Sequence, residues 1–295
     1  MSSVERVACA PISWGVIEVP DWGYQMEADV VLREAAELGI KATEAGPEGF
    51  LPRDPGELRE KLSQYGMQII GGFDAIVLHD ASLRDEQLAA FERRADFFAN
   101  AGAETMVVAA AAGSVGYEEV IDLDDGQWQE LFDNLARAED MAAERDLKVS
   151  LHSHHGTVIE TDAQLRRFLE GCQTGLCLDT GHLLIGGSDP VEVARTAGER
   201  VNHAHLKDVD ANLARRLASR RIGFREAAIA GVFRPLGEGD VDVAEVIRLL
   251  EQSGYNGWYV LEQDCVVNSL PQDNEGPARD VRTSSDYLRK VLASI

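Results

Sequence analysis

The sequence contains few cysteines, and none of them belongs to a metal-binding or redox motif. The four are scattered without a CxxC spacing, at Cys9, Cys172, Cys177 and Cys265. A thiolate zinc site or a dithiol redox centre is therefore not expected. We interpret the cysteines as reduced, mostly buried thiols.

Positive charge is also scarce, since 28 lysines and arginines stand against 51 aspartates and glutamates and the formal net charge is −23. A surface of this sign repels phosphate backbones and anionic lipid. Neither a nucleic acid nor a membrane is therefore expected as a partner, and a neutral small molecule fits better. Solubility alone also explains the acidity.

Long apolar runs are missing as well. The longest, Met106 to Ala112, is far shorter than the roughly 20 residues needed to span a bilayer. Residues Met1 to Val7 lack the basic-then-apolar plan of a secretory leader. We therefore expect a cytoplasmic protein.

No proline-rich or low-complexity linker divides the 295 residues. The hydrophobic share of 45% and the charged share of 27% are close to the globular average. We predict a single domain over residues 1–295, of the size of one large α/β barrel.

The sequence does contain a regular alternation of short, apolar, β-branched runs with longer segments of helical periodicity, which predicts βα units around a parallel sheet. The eight predicted strands lie near Val7–Ile12, Ile40–Glu44, Gln68–Phe73, Thr105–Ala110, Lys148–His152, Gly175–Asp179, Val201–His205 and Trp258–Glu262. The predicted helices between them are Glu27–Leu38, Pro55–Tyr65, Asp85–Ala101, Gln127–Arg145, Asp162–Glu170, Pro190–Ala197 and Val243–Ser253. Eight units close a (β/α)8 TIM barrel, and counting alone leaves a doubly wound open sheet as the alternative.

One long segment, 208–242, interrupts this rhythm before the last unit. An insertion that follows a strand usually lies over the barrel mouth. We predict a lid or a subunit contact, with a solvated helix as the alternative.

Six of the seven histidines lie between His152 and His205, where they gather at the ends of predicted strands. In four segments an apolar strand interior stops at a His, Asp or Glu: VSLHSHHGTVIE (149–160), LCLDTGH (176–182), VNHAHLKD (201–208) and GWYVLEQD (257–264). A parallel barrel places its catalytic groups at these strand ends. The last four strands are therefore predicted to converge on one polar site, while His79 stands apart as a solvent or loop residue.

Carboxylates and imidazoles from separate strands, without thiolates, form the mixed N/O set that binds a divalent metal and leaves positions open for substrate. Asp179, His205 and Glu262 are the predicted ligands. A structural network of salt bridges or hydrogen bonds is the alternative for all three.

The same four segments resemble the xylose-isomerase-like family of sugar isomerase and epimerase barrels, which also includes endonuclease IV. Narrower motifs are similar to the inosose dehydratases of inositol catabolism, namely ISWGVIEVPDWGYQ (12–25), TEAGPEGFLP (43–52), HSHHGTVIE (152–160) and VFRPLGEGDVD (232–242). The DTGH, HLKD and GEGD motifs are common to the wider family. The resemblance runs from the first predicted strand to the last and implies a TIM barrel with one metal ion.

The resemblance implies metal ligands at a Glu after strand five, the Asp of DTGH, the His of HLKD and a Glu ending strand eight. The last three correspond to Asp179, His205 and Glu262. Strand five instead ends in histidines, so Glu160 is expected to fold back as the fourth ligand, with His152 or His154 as the alternative. Mn²⁺ or Co²⁺ is expected, and Mg²⁺, Fe²⁺ or Zn²⁺ is also compatible.

Resemblance and strand-end position together suggest which residues contact substrate. The predicted catalytic residues are His152, His154, His182 and Lys207, with Lys207 pairing with a developing enolate oxygen. The predicted substrate-binding residues are Trp14, Glu44 and His155, with Gly46 and Pro47 beside Glu44. For His155 and His203 the alternative is orientation of a metal ligand, and for Trp14 it is core packing.

The function that the resemblance implies is a metal-dependent lyase that dehydrates 2-keto-myo-inositol through an enolate. The closest rival is a metal-dependent isomerase or epimerase of a small ketose, which needs the same metal and enolate. A nuclease of the endonuclease IV type conflicts with the acidic charge, and a non-catalytic binding barrel would not need so many titratable strand-end groups. A homodimer or homotetramer is also compatible with a mouth insertion.

Overall fold

The computed structural model describes residues 5–113, 117–272 and 275–295. Eight parallel strands form a closed barrel, in which the first strand pairs with both the second and the last. The TIM barrel is therefore confirmed, and the open sheet is excluded. Residues 1–4, which belong to the segment interpreted as lacking a leader, lie outside the described residues.

The barrel strands lie close to their predicted positions because each is an apolar run buried on both faces. They are β1 (Val7–Cys9), β2 (Ala42–Glu44), β3 (Gln68–Ile76), β4 (Thr105–Ala110), β5 (Lys148–His152), β6 (Gly175–Asp179), β7 (Val201–Leu206) and β10 (Tyr259–Leu261). Polar residues appear where these strands end, at the mouth of the barrel. The apolar barrel interior therefore carries a polar site at the mouth of the barrel.

The helices are α1 (Ala28–Glu37), α2 (Pro55–Ser63), α3 (Arg84–Ala101), α4 (Asp125–Ala143), α5 (Asp162–Gly171), α6 (Thr180–Ile185), α7 (Pro190–Ala197), α8 (Ala211–Ala218), α9 (Phe224–Ile229), α10 (Val243–Gln252) and α11 (Pro277–Leu292). Side-chain caps begin many of them, as Asp124 does for α4 and Thr161 for α5. The sequence pattern missed α6 and α11. The first is only six residues long, and the second follows the last predicted strand, where the alternation had ended.

The segment 208–242 holds α8 and α9 between two short antiparallel strands, β8 (Asp208–Val209) and β9 (Phe233–Arg234). It begins and ends at the same point of the barrel because the buried Asp208 carboxylate accepts hydrogen bonds from four backbone N–H groups. The donors are Val209, Gly237, Gly239 and Val241, at 2.9–3.0 Å.

Gly239 is required at this contact, since a Cβ there would lie 2.2 Å from Asp208 Oδ1. The HLKD and GEGD motifs are thus two halves of one structural link.

Among the described residues, none of the helices has the length and apolar character needed to cross a bilayer.

Asp208→Ala leaves the buried amide of Val241 and the partly buried amides of Gly237 and Gly239 without their acceptor. We expect the free energy of unfolding to fall by about 3 kcal/mol, because each abandoned buried donor costs roughly 1–3 kcal/mol. Chemical denaturation measures the change. Asp242→Ala, which removes one cap hydrogen bond to Glu245, is the control and should cost only about 1 kcal/mol. Equal losses in the two variants would contradict the link.

Candidate functional site

Four side chains converge at the mouth of the barrel. His152 ends β5, Asp179 ends β6, His205 lies near the end of β7 and Glu262 directly follows β10. Their ligand atoms all lie within 4.8 Å of one another. His152 Nε2 is 3.2 Å from Asp179 Oδ2, and His205 Nδ1 is 2.8 Å from Glu262 Oε2. The parallel strands bring these groups together because their carboxyl ends meet at one rim.

Hydrogen bonding tests whether this cluster fits a metal ion. Within the described part of the chain, His205 Nδ1 has no hydrogen-bond partner although Glu262 Oε2 lies 2.8 Å away, and Oε2 itself pairs with the ammonium of Lys207 at 3.0 Å. A buried polar atom without a partner costs roughly 1–3 kcal/mol. Two lone pairs that share a cation avoid that cost. The donor set of two imidazoles and two carboxylates is also typical of divalent metals.

The charge of the site favours a cation as well. Lys207 Nζ lies 3.3 Å from Asp179, 3.0 Å from Glu262 and 3.1 Å from Asp264. One ammonium therefore faces three carboxylates. Burial, followed by the charges of Glu262 and Asp179, raises the pKa of Asp264 to about 7. A surplus of buried negative charge is costly unless positive charge balances it.

Glu44, at the end of β2, orients His205, a candidate metal ligand. Its Oε1 accepts hydrogen bonds from Nε2 of His205 at 2.8 Å and from Nε2 of His203 at 2.7 Å. The Nε2 proton of His205 therefore points to Glu44, and Nδ1, which faces Glu262, is the nitrogen that a metal ion could bind. Burial opposes ionisation of Glu44, but the two histidines keep its pKa well below the ordinary value. This carboxylate thus supports the cluster from behind.

Glu160 is not part of the cluster. Its carboxylate accepts a bidentate pair of hydrogen bonds from Arg220, at 3.0 and 2.7 Å, and lies 2.9 Å from His155 Nδ1. The structure thus places Glu160, the expected fourth ligand, away from the cluster and brings His152, the alternative, into it. The physical reason is that the loop after β5 directs Glu160 toward the segment 208–242, where the guanidinium of Arg220 balances the charge of the carboxylate.

His154 and His182 form a pair of imidazoles in close contact, with ring centroids 3.9 Å apart and ring planes tilted by 36°. His154 Nδ1 lies 2.7 Å from the carbonyl oxygen of His155, which can only accept, so this nitrogen carries the proton and Nε2 has the lone pair. The backbone N–H of His155 donates to His182 Nδ1 at 3.4 Å, so the proton of His182 is on Nε2.

Burial, and then the positive charges of the neighbouring His152 and Lys207, lower the pKa of His154 well below its ordinary value. Burial likewise lowers the pKa of His182. Both rings are therefore neutral near pH 7. His154 has an unprotonated nitrogen at Nε2, whereas His182 has an N–H there.

A cavity of about 630 Å³ opens above this cluster. The predicted site residues on its wall are Glu44, Gly46, Pro47, His152, His154, Lys207 and Glu262. Asp179, His182 and His205 lie beneath the wall and are fully buried. The cavity therefore meets the metal cluster through His152 and Glu262.

Two sequence expectations place residues differently from the structure. Trp14 is wholly buried and its Nε1 donates to Glu34 in α1 at 2.8 Å, so it belongs to the core, which was the alternative. His79 lies in the loop after β3, where it is buried rather than solvent-exposed.

Sequence reasoning missed several residues of the site. Asp264, Tyr117 and Phe224 line the cavity, and Arg220 binds Glu160. Asp264 had a signal, because it stands two positions after Glu262 and alternate residues of an extended chain point the same way. Tyr117 and Arg220 lie in loops and Phe224 begins α9, and no local pattern determines the path of the chain at these places.

A family model described as xylose isomerase-like TIM barrel matches residues 32–291 of this chain. The inosose dehydratase of Geobacillus kaustophilus is 34% identical over 270 residues, which cover 88% of this chain and 87% of that protein. The inosose dehydratase of Erwinia tasmaniensis is 30% identical, with 88% and 90% covered.

Solved structures show the same fold. The IolI protein with a bound zinc atom superposes with a TM-score of 0.70 at 15% identity and covers 98% of both chains. L-ribulose 3-epimerase superposes with a TM-score of 0.72 at 16% identity, covering 100% of this chain and 95% of the epimerase.

Glu44→Gln removes the charge that orients His205 and puts an amide donor in place of one acceptor. We expect affinity for Mn²⁺ to fall about 10- to 100-fold, as for other residues that hold a metal ligand in place. Competition with a chelating dye measures it. Glu34→Gln is the matched control, since Glu34 is a buried carboxylate that accepts from Trp14 outside the site. Undiminished affinity in Glu44→Gln would rule out this role.

Proposed function

The chain belongs to the xylose isomerase-like TIM barrel family, and on that premise we propose that it dehydrates 2-keto-myo-inositol with the help of one divalent metal ion. The observation that carries the proposal is the buried cluster of His152, Asp179, His205 and Glu262 at the base of the cavity. The relatives named inosose dehydratase, at 30–34% identity, support the choice of reaction. A ketose isomerase or epimerase is the alternative.

The four clustered residues would hold the metal, with Mn²⁺ or Co²⁺ expected first and Mg²⁺, Fe²⁺ or Zn²⁺ also compatible. When bound there, such an ion supplies Lewis acidity toward a ketone oxygen. Asp179 is well prepared for ligation, because its Oδ1 accepts the N–H groups of Gly181 and His182 at the start of α6 while Oδ2 faces the cluster.

Loss of water beside a ketone requires removal of the proton from the carbon next to the carbonyl and departure of hydroxide from the following carbon. We assign proton removal to His154, because its unprotonated Nε2 belongs to a ring on the cavity wall. His182 lies behind it and supports it through a tilted ring contact, with centroids 3.9 Å apart. The electron pair of the broken C–H bond forms the enolate, and collapse of the enolate then expels the hydroxide.

Lys207 is assigned to the enolate oxygen. It is a buried ammonium on the cavity wall, and a cation at this position stabilises negative charge as it develops. Asp264, 3.1 Å from Lys207 and on the same wall, is assigned as a hydrogen-bond partner of the departing hydroxyl. The base His154 and the cation Lys207 would thus contact the same substrate molecule in the cavity.

The His152 position favours the dehydratase over the epimerase, because the epimerases of the family usually have a metal-binding Glu at the end of strand five. A small polyol or ketose is the proposed partner. Nucleic acid and membranes are not, in keeping with the net charge of −23. A cytoplasmic location and a homodimer or homotetramer remain part of the proposal.

The substrate assignment predicts that metal-replete protein converts 2-keto-myo-inositol but not a panel of ketohexoses. The absorbance of the enolised diketone follows the reaction. Chelation should abolish product, and Mn²⁺ or Co²⁺ should restore it. Product from the ketohexoses alone would instead establish the isomerase or epimerase.

Glu262→Gln should abolish turnover and weaken metal binding, because an amide oxygen is a poorer ligand than a carboxylate and the site loses one negative charge. Bound metal is measured by atomic emission and folding by circular dichroism, which should be unchanged. Glu251→Gln, which removes a carboxylate paired with Arg6 outside the site, should retain both activity and metal. Full activity in Glu262→Gln would show that the metal site is misplaced.

A further inference from the structure

Phe224, from the segment 208–242, covers the histidines of the site. Its ring stacks on His155, with centroids 5.5 Å apart and planes 18° apart, and lies 5.9 Å from His154 and 6.2 Å from His182. The side chain is only 1% exposed. The segment therefore shields these imidazoles from water on this side of the barrel mouth.

A partly buried ion pair attaches this segment to the loop after β5. Arg220 Nη1 and Nη2 donate to the two carboxylate oxygens of Glu160 at 3.0 and 2.7 Å. The Glu160 side chain is 10% exposed and that of Arg220 is 26% exposed. Bidentate pairs of this kind fix orientation as well as distance. Arg220 has a φ of 54°, a costly conformation for a residue with a side chain, which the pair helps to hold.

The same arginine also reaches the histidine loop. Arg220 Nη1 lies 2.8 Å from Nδ1 and 2.9 Å from Nε2 of His155. The backbone of His155 in turn forms hydrogen bonds with both imidazoles. Its carbonyl accepts from His154, and its N–H donates to His182. A displacement of His155 would therefore move both rings, because its backbone determines which nitrogen of each ring carries the proton.

We propose that Arg220 and Glu160 form a latch that holds the segment 208–242 over the site and, through His155, positions His154 and His182. Both are positioning residues, since neither belongs to the metal cluster. The closure itself is independent of the reaction, whereas its effect on turnover rests on the proposed function.

Two further contacts locate the segment but are weaker anchors. The N–H of Phe224 donates to Glu118 at 2.7 Å, and Arg225 Nε donates to the carbonyl of Trp22 at 2.8 Å. Each is one hydrogen bond to a loop, while Arg220 and Glu160 form a double, charged link. Although burial opposes it, the contacts with His155, Gly156 and Arg220 lower the pKa of Glu160 to about 2, so the link persists across the neutral range.

The test compares Arg220→Ala, Glu160→Ala and the double variant with wild type. Arg221→Ala is the matched control, because Arg221 is the adjacent, exposed arginine of the same turn. Hydrogen–deuterium exchange of residues 211–234 reports closure without any need for turnover. Steady-state kinetics with 2-keto-myo-inositol report positioning. Added guanidinium and the variant Arg220→Lys test whether the cation itself restores function.

The latch predicts faster exchange of residues 211–234 in both single variants and no further increase in the double variant, because paired residues are non-additive. It predicts a kcat lowered about 10- to 100-fold with a smaller change in KM, since misplaced reacting groups slow chemistry more than binding. Guanidinium should partly restore Arg220→Ala, and Arg220→Lys should lie between it and wild type. Arg221→Ala should match wild type.

Exchange in Arg220→Ala equal to that of Arg221→Ala would overturn the latch. Faster exchange with unchanged kcat would overturn the positioning role. If wild type itself does not convert 2-keto-myo-inositol, the proposed function fails, and the exchange comparison still decides whether the segment is latched.

Discussion

Buried negative charge at one end of the barrel is the constraint on which the rest of the site depends. Asp179, Glu262 and Asp264 face the single ammonium of Lys207 within a space of a few ångströms. Carboxylates in such a place must be balanced by cations or lose their charge. The lysine supplies part of the balance, and the arrangement of ligand atoms accommodates a divalent ion for the remainder.

The polar side chains are held by partners outside the cluster. Glu44 sets the tautomer of His205 from behind, and the backbone of His155 sets those of His154 and His182 from the side. An imidazole on the cavity wall can serve as a base only when the correct nitrogen is unprotonated, so these contacts matter as much as the ligands do.

Two carboxylates hold the segment 208–242, one at its ends and one near its middle, for different purposes. Asp208 joins the segment to the barrel by collecting backbone amides, and its role is structural. Glu160 meets Arg220 above the histidines, where the same kind of interaction closes the site.

The sequence by itself determined the barrel, because apolar β-branched runs and helical periodicity are local properties. It also indicated Asp179, His205 and Glu262, since a polar residue that ends a buried strand has only the barrel mouth to face. The tertiary structure alone decided that Glu160 binds Arg220, that His152 joins the cluster and that Trp14 packs against α1. These outcomes depend on how loops fold over the rim and on which charges they bring near one another. Spacing along the chain does not encode such distances.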